Sequence, residues 1–151
     1  MAKPILYKTH TFEIPCHHRL VSNTLSHEQN QQVFSKCYGN YGHGHNYKLK
    51  ITFRYPYSQE EPLADQKWTA IIEEMLVAPC SYQSLNVVFA NWGIKNPITT
   101  GEQILEVFAQ KLEQSSIQKV LFEAELVETR KNSFYYSFQK TRRAHGNLGL
   151  S

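Results

Sequence analysis

The sequence predicts an α+β domain on an antiparallel sheet, and three observations carry that prediction. Two stretches in the first third alternate apolar and polar residues with a period near two, two central stretches carry apolar residues at helical spacing, and two further extended stretches complete the sequence. The order strand, strand, helix, helix, strand, strand reads as a four-stranded antiparallel sheet with two helices on one face.

Each element has its own warrant. From Tyr7 to about Leu20 the even positions Phe12, Ile14, Cys16 and His18 are apolar or imidazole, while Thr9, Thr11 and Glu13 fall between them. The segment Val21 to Tyr41 is rich in Ser, Asn and Gln without a convincing period, which predicts a long loop. In His45 to Arg54, Tyr47, Leu49, Ile51 and Phe53 alternate strictly with Lys48, Lys50, Thr52 and Arg54, the pattern of a strand with one covered and one wet face. After a proline-flanked turn, Pro56 to Pro62, a helix is expected from Asp65 to about Val77, with Trp68, Ile71, Ile72, Met75 and Leu76 on one side. A second is expected from Gly101 to Glu113, carrying Ile104, Leu105, Phe108 and Leu112, with Thr99 and Glu102 as a capping box. Strands over Lys119 to Thr129 and Ser133 to about Gln139, hinged at Arg130 to Asn132, complete the set.

A length of 151 residues, 41% hydrophobic and 19% charged, suffices for one domain with a real core, which excludes a disordered protein or a large multidomain enzyme. The expected domain is 1–151, with a core over about 5–140 and a polar tail over 141–151. No apolar run nears the ~18 residues of a membrane span, and the N-terminus lacks the features of a secretory signal, so a cytoplasmic protein without a membrane partner is expected. Cys16, Cys37 and Cys80 are odd in number and irregular in spacing, which fits reduced thiols. A net charge of +3 is too small to argue for nucleic acid and does not repel a phosphorylated small molecule.

Histidine is the anomaly. His10, His17, His18, His27, His43 and His45 crowd the first third, and only His145 lies elsewhere. In Cys37-Tyr-Gly-Asn-Tyr-Gly-His43-Gly-His45-Asn-Tyr47, residues two apart on an extended backbone project to one side, so His43 and His45 share the covered face of Tyr47 and Leu49. His18 shares the covered face of the first strand. If the two strands pair, three nitrogens converge, and three His ligands leave a tetrahedral zinc one open position, as in catalytic sites. The alternative is hydrogen-bonded core or surface histidines. Cys37, six positions before His43, is either a base or nucleophile near that metal or a small buried thiol. Cys16 competes as a spare ligand. Glu128 continues the apolar parity of Phe122, Ala124 and Leu126; it either lies on the covered face, needing a partner such as adjacent N–H donors of an aminopyrimidinone ring, or is solvated past the strand end.

These residues resemble the 6-pyruvoyl-tetrahydropterin synthase family and its relative, the 6-carboxytetrahydropterin synthases. The resemblance runs from about Phe12 to Phe138 and is carried by His18-Arg19-Leu20, Cys37 with His43-Gly-His45-Asn-Tyr47, Thr100-Gly-Glu102-Gln and Glu128-Thr129. It implies the tunnelling fold, zinc (Zn2+) held by His18, His43 and His45, Cys37 as catalytic thiol, Glu128 as pterin anchor, and Thr100 and Glu102 near the recognition loop. The implied activity is elimination of triphosphate from dihydroneopterin triphosphate or an analogue. The five-residue gap between Cys37 and His43 resembles the pyruvoyl branch. The resemblance also implies a homo-oligomer, trimers stacked into hexamers. One departure stands out: where the family shows an Asp-His pair after the first helix, this sequence reads Ser81-Tyr82. Carboxylated or retro-aldol products, a non-catalytic pterin-binding homologue, and a hetero-oligomer whose partner supplies the missing pair are the alternatives that follow.

Overall fold

The computed structural model describes residues 2–39 and 42–138, with the side chains of Lys36 and Cys37 outside the described part. Four strands, β1 (Ile5–His18), β2 (His43–Pro56), β3 (Leu121–Val127) and β4 (Ser133–Ser137), form one antiparallel sheet in the order β1-β2-β3-β4. Strand β1 has the expected length but begins and ends two residues earlier than its pattern implies, whereas β2 runs two residues beyond the expected His45 to Arg54 at each end. Pairing runs from Ile5 opposite Pro56 to His18 opposite His43.

The period-two pattern sets the packing. Phe12, Ile14 and Cys16 of β1 and Tyr47, Leu49, Ile51, Phe53 and Tyr55 of β2 are buried on one face, whereas Thr9, Thr11, Glu13 and Lys48 are exposed on the other. That covered face receives three helices: α2 over Glu61–Ile72, α3 over Leu85–Asn91 and α4 over Gly101–Glu113. Ile72, Leu76, Leu85, Phe89, Ile104, Phe108 and Leu112 fill the space between helices and sheet. Phe53, fully buried, stacks on Trp68 of α2 with centroids 5.2 Å apart.

Helix α2 does not stop at Ile72. It widens into a π turn, Glu73–Val77, and ends with one turn, Ala78–Cys80. Pro79 lacks the N–H that the Met75 carbonyl would take in an α-helix, and a π turn is one way to absorb that missing donor.

Two helices beyond the expected pair are present. The segment read as a loop, Val21 to Tyr41, contains a first helix, α1 (His27–Phe34), and a 3₁₀ turn, Ser35–Tyr38. Ser26 caps α1 by accepting from the Gln29 amide, and the Gln29 side chain returns to the Ser26 N–H, so the capping box is local and complete. Helix α3 buries Leu85, Val88 and Phe89. At α4 the cap is Thr100 rather than Thr99: its hydroxyl accepts from the Gln103 amide at 3.4 Å. Tyr41 and the tail from Gln139 onward, including the expected end of the last strand, lie outside the described residues.

Candidate functional site

The strand register brings the imidazoles together. His18 ends β1 directly opposite His43, which begins β2, and His45 lies two residues further along the same strand. The His18 and His45 rings have centroids 5.0 Å apart, and those of His43 and His45 are 4.5 Å apart. The cluster therefore sits at one end of the covered sheet face, with Tyr47 as its floor, 5.2 Å from His45 and 6.0 Å from His18.

Hydrogen bonding selects one nitrogen of His18. Its Nδ1 lies 2.6 Å from the Thr99 carbonyl, an atom that only accepts, so Nδ1 carries the proton and Nε2 keeps its lone pair. A backbone carbonyl fixing the tautomer in this way is the arrangement expected behind a metal-ligating histidine. His18 is 0% exposed, and burial lowers its pKa below the usual 6.5, against the raising effect of the Thr99 bond and with smaller lowering contributions from His43 and His17. The His45 pKa is also lowered, chiefly by burial and then by His18, although the Glu128 carboxylate pulls the other way. Both rings are thus neutral near pH 7, which is the ligating form.

His45 Nε2 is buried and has no hydrogen-bond partner among the described residues. Its nearest charged neighbour is Glu128 Oε1 at 3.6 Å, too far for a hydrogen bond. With His45 neutral, that contact is not an ion pair either. A buried nitrogen left unsatisfied is costly, and a cation between His18, His45 and Glu128 would satisfy it. One ligand atom from each of these three residues lies within 4.8 Å of the others. The donor set therefore fits a divalent metal. His43 touches this group through its ring contact with His45 but is exposed, and Cys16 is not among the grouped ligands. Burial pushes the Cys16 thiol up to about 12, so it stays protonated.

Glu128 lies one residue past the end of β3, yet it is not solvated as a strand-end reading implies. Its side chain is 16% exposed and turned inward, and Oε1 accepts from the Tyr47 hydroxyl at 3.4 Å. The Asn132 carbonyl holds its N–H at 3.1 Å, so the β3-β4 turn fixes the residue.

Elsewhere the expected residues fall at different distances from the cluster. Thr100 is spent on capping α4, and Glu102 lies exposed in the first turn of that helix, beside a cleft of about 330 Å³ lined also by Leu105, Glu106, Phe134, Tyr135 and Tyr136. None of the three histidines lines that cleft. The backbone of Cys37 belongs to the 3₁₀ turn; its side chain lies outside the described residues.

Sequence reasoning missed two supporting residues. Thr99, fully buried, supplies the carbonyl behind His18, and Asn86 of α3 holds the next peptide, accepting from the Arg19 N–H and donating to the Arg19 carbonyl, each at 2.8 Å. An Asn at a helix start offers both a donor and an acceptor, which was the available signal. The Ser81-Tyr82 segment also acquires geometry. The Ser81 hydroxyl donates back to the Val77 carbonyl at 2.7 Å, while Tyr82 is 82% exposed at a φ of 60°. The Tyr82 N–H donates to the Pro15 carbonyl, and Tyr82 lines a cavity of about 330 Å³ with Cys16, His17, Gly44 and His45. Tyr82 thus borders the histidine cluster.

Comparison with known proteins bears on family and fold. The sequence profile of the 6-pyruvoyl tetrahydropterin synthase family matches residues 6–139. The protein belongs to this family. The 6-pyruvoyl tetrahydrobiopterin synthase of Poecilia reticulata is 30% identical over 142 residues, covering 89% of this sequence and 92% of that protein. The one from Homo sapiens is 29% identical over 126 residues, 79% of this sequence and 82% of its own length. Among solved structures, Caenorhabditis elegans 6-pyruvoyl tetrahydropterin synthase superposes with a TM-score of 0.75 at 26% identity, covering 91% of this protein and 98% of that one. The family's α+β fold with a four-stranded antiparallel sheet is the fold described above.

Proposed function

We propose that the protein is a zinc-dependent carbon-oxygen lyase of the pterin synthase type, acting on dihydroneopterin triphosphate or a close analogue and releasing triphosphate. The observation that carries the reading is the pair of neutral imidazoles, buried His18 with its tautomer fixed by Thr99 and half-buried His45 with a buried Nε2 that has no partner among the described residues. His18, His43 and His45 would hold the metal. When bound, zinc supplies a Lewis acid at the hydroxyl oxygens of the substrate's side arm, which makes the neighbouring carbon-bound proton more acidic.

The protein's own residues supply the rest. Glu128, with one oxygen already oriented by Tyr47, presents a carboxylate suited to the adjacent N–H donors of an aminopyrimidinone ring. Cys37, as thiolate, takes that carbon-bound proton from the substrate; the electron pair left behind expels triphosphate by breaking its C–O bond. Thr100 and Glu102 would border the recognition loop. Cys16 and Cys80 are buried with thiols pushed up to about 12, so neither competes as base.

A second reading, a pterin-binding homologue without turnover, is favoured by one observation. The Ser81 hydroxyl is committed to Val77 and cannot serve as the acid of the missing Asp-His pair. Losing such a proton-transfer partner costs about 10²–10⁴ in rate. Incubating the zinc-loaded protein with dihydroneopterin triphosphate separates the two. Triphosphate release that Cys37→Ala abolishes, with pterin binding kept, supports the lyase; binding without release supports the homologue. Ser81→Asp with Tyr82→His should then raise the rate.

A further inference from the structure

The residue after His18 makes contacts that the proposed reaction leaves unused. The Arg19 peptide is held on both sides by Asn86, and the Thr99 hydroxyl donates to the same Arg19 carbonyl at 3.4 Å. From that fixed backbone the Arg19 guanidinium reaches across to another segment. Its Nε donates to the Tyr38 carbonyl at 3.2 Å and to the Gly39 carbonyl at 3.1 Å, and its guanidinium lies 5.0 Å over the Tyr38 ring. The Tyr38 hydroxyl in turn meets His27 Nδ1 of α1 at 2.8 Å.

The contacts have a common physical cause. The last carbonyls of a helical turn have no partner within it, and a cation is favoured at that end. Guanidinium suits the task, since it can donate in its plane while stacking on an aromatic face. The turn so capped is Ser35–Tyr38, which carries Cys37. The backbone then returns to β1: the Gly42 N–H donates to the Gly39 carbonyl at 3.0 Å, and Gly42 lies directly against the His18 carbonyl.

We propose that Arg19 is a positioning residue that fastens the backbone of the turn bearing Cys37 to the end of β1 bearing His18, so that this turn keeps a fixed relation to the imidazole cluster. The proposal rests on the function above for the role of Cys37; the fastening itself does not depend on it. Two readouts on the zinc-loaded full-length protein keep these apart. In Arg19→Ala, amide hydrogen exchange over residues 35–39 and 42 should quicken about tenfold or more while the strand interiors of β1 and β2 stay protected, and zinc content should be unchanged. For triphosphate release, kcat should fall about 10–100-fold with KM moving less than about threefold. Arg19→Lys keeps the charge and stem but loses the planar fork, and should lie between the two in both readouts.

Unchanged exchange over the turn in Arg19→Lys and Arg19→Ala overturns the proposal. So does exchange that rises equally through the strands, which marks a general packing role, or a wild-type kcat in a variant whose turn has loosened. If the unmutated protein releases no triphosphate, the proposed function fails, and the exchange result still decides whether Arg19 holds the turn.

Discussion

Glu128 lies where two roles meet, because it is both within reach of His45 and His18 and a carboxylate held inward beside the Tyr47 hydroxyl. Its assignment as pterin anchor makes a clear prediction. Glu128→Gln should keep zinc at wild-type content while weakening pterin binding by about 10–100-fold, the usual worth of hydrogen bonds to a charged group. Zinc analysis and fluorescence titration with a pterin would check both halves. The histidines make a second prediction, for the metal-free protein. Since burial lowers the His18 and His45 pKa values below 6.5, the unfolded state binds more protons than the folded one as pH drops through that value. Stability is therefore fully present above about pH 6.5 and falls as pH decreases toward the folded-state values, which thermal melts from pH 8 to 5 should show. At this scale the sequence was informative wherever parity decides direction: His18 and His45 follow from period two, whereas His43, of the same parity as His45 but at the start of β2, is exposed. It was uninformative about Thr99, whose carbonyl acts through the backbone, and it left Glu128 between a covered and a solvated position, because that residue lies past the strand end and is held by the β3-β4 connection.

The entry to β2 is the element on which the cluster depends. Gly42 has a φ of 74°, and a Cβ there would collide with the His18 carbonyl. Gly42→Ala adds left-handed strain worth about 1–3 kcal/mol to a clash that only backbone movement relieves. A melting point lower by roughly 2–4 °C per kcal/mol, together with weakened zinc binding, is the expected outcome. The strands β1 and β2 and the helices α2 and α4 were legible because each carries a long apolar period. Helix α1 was not, since only Asn30 is buried in it and the helix shows almost no apolar face; its legible mark was the pair Ser26 and Gln29, three residues apart. Helix α3 is only seven residues long, and its apolar set of Leu85, Val88 and Phe89 is too brief to stand out as a period.

The described residues form a single sheet covered on one face, and its two outer strands pose an assembly question. Part of the β1 edge is closed by the segment after α2: the His17 N–H donates to the Gln83 carbonyl at 3.1 Å, and His17 pairs with Ser84 as an isolated bridge. Edges of this kind need cover, and family resemblance supplies the expectation of trimers stacked into hexamers. No helix among the described residues is long and apolar enough to cross a membrane. Fold class was readable at this scale because element order alone decides it; the site was readable only to the extent that strand pairing is simple, since a one-residue shift between β1 and β2 would have turned His18 and His45 to opposite faces.

The central claim is that three imidazoles hold one divalent ion at the open end of this sheet. Zinc content of the dialysed protein and of His18→Ala, His43→Ala and His45→Ala tests it most directly. The account predicts about one zinc per protomer, falling to below about a tenth in each variant, as expected when a ligand is removed. Full zinc retained in His43→Ala, with zinc lost instead in Glu128→Gln, would contradict it and identify His18, His45 and Glu128 as the ligands.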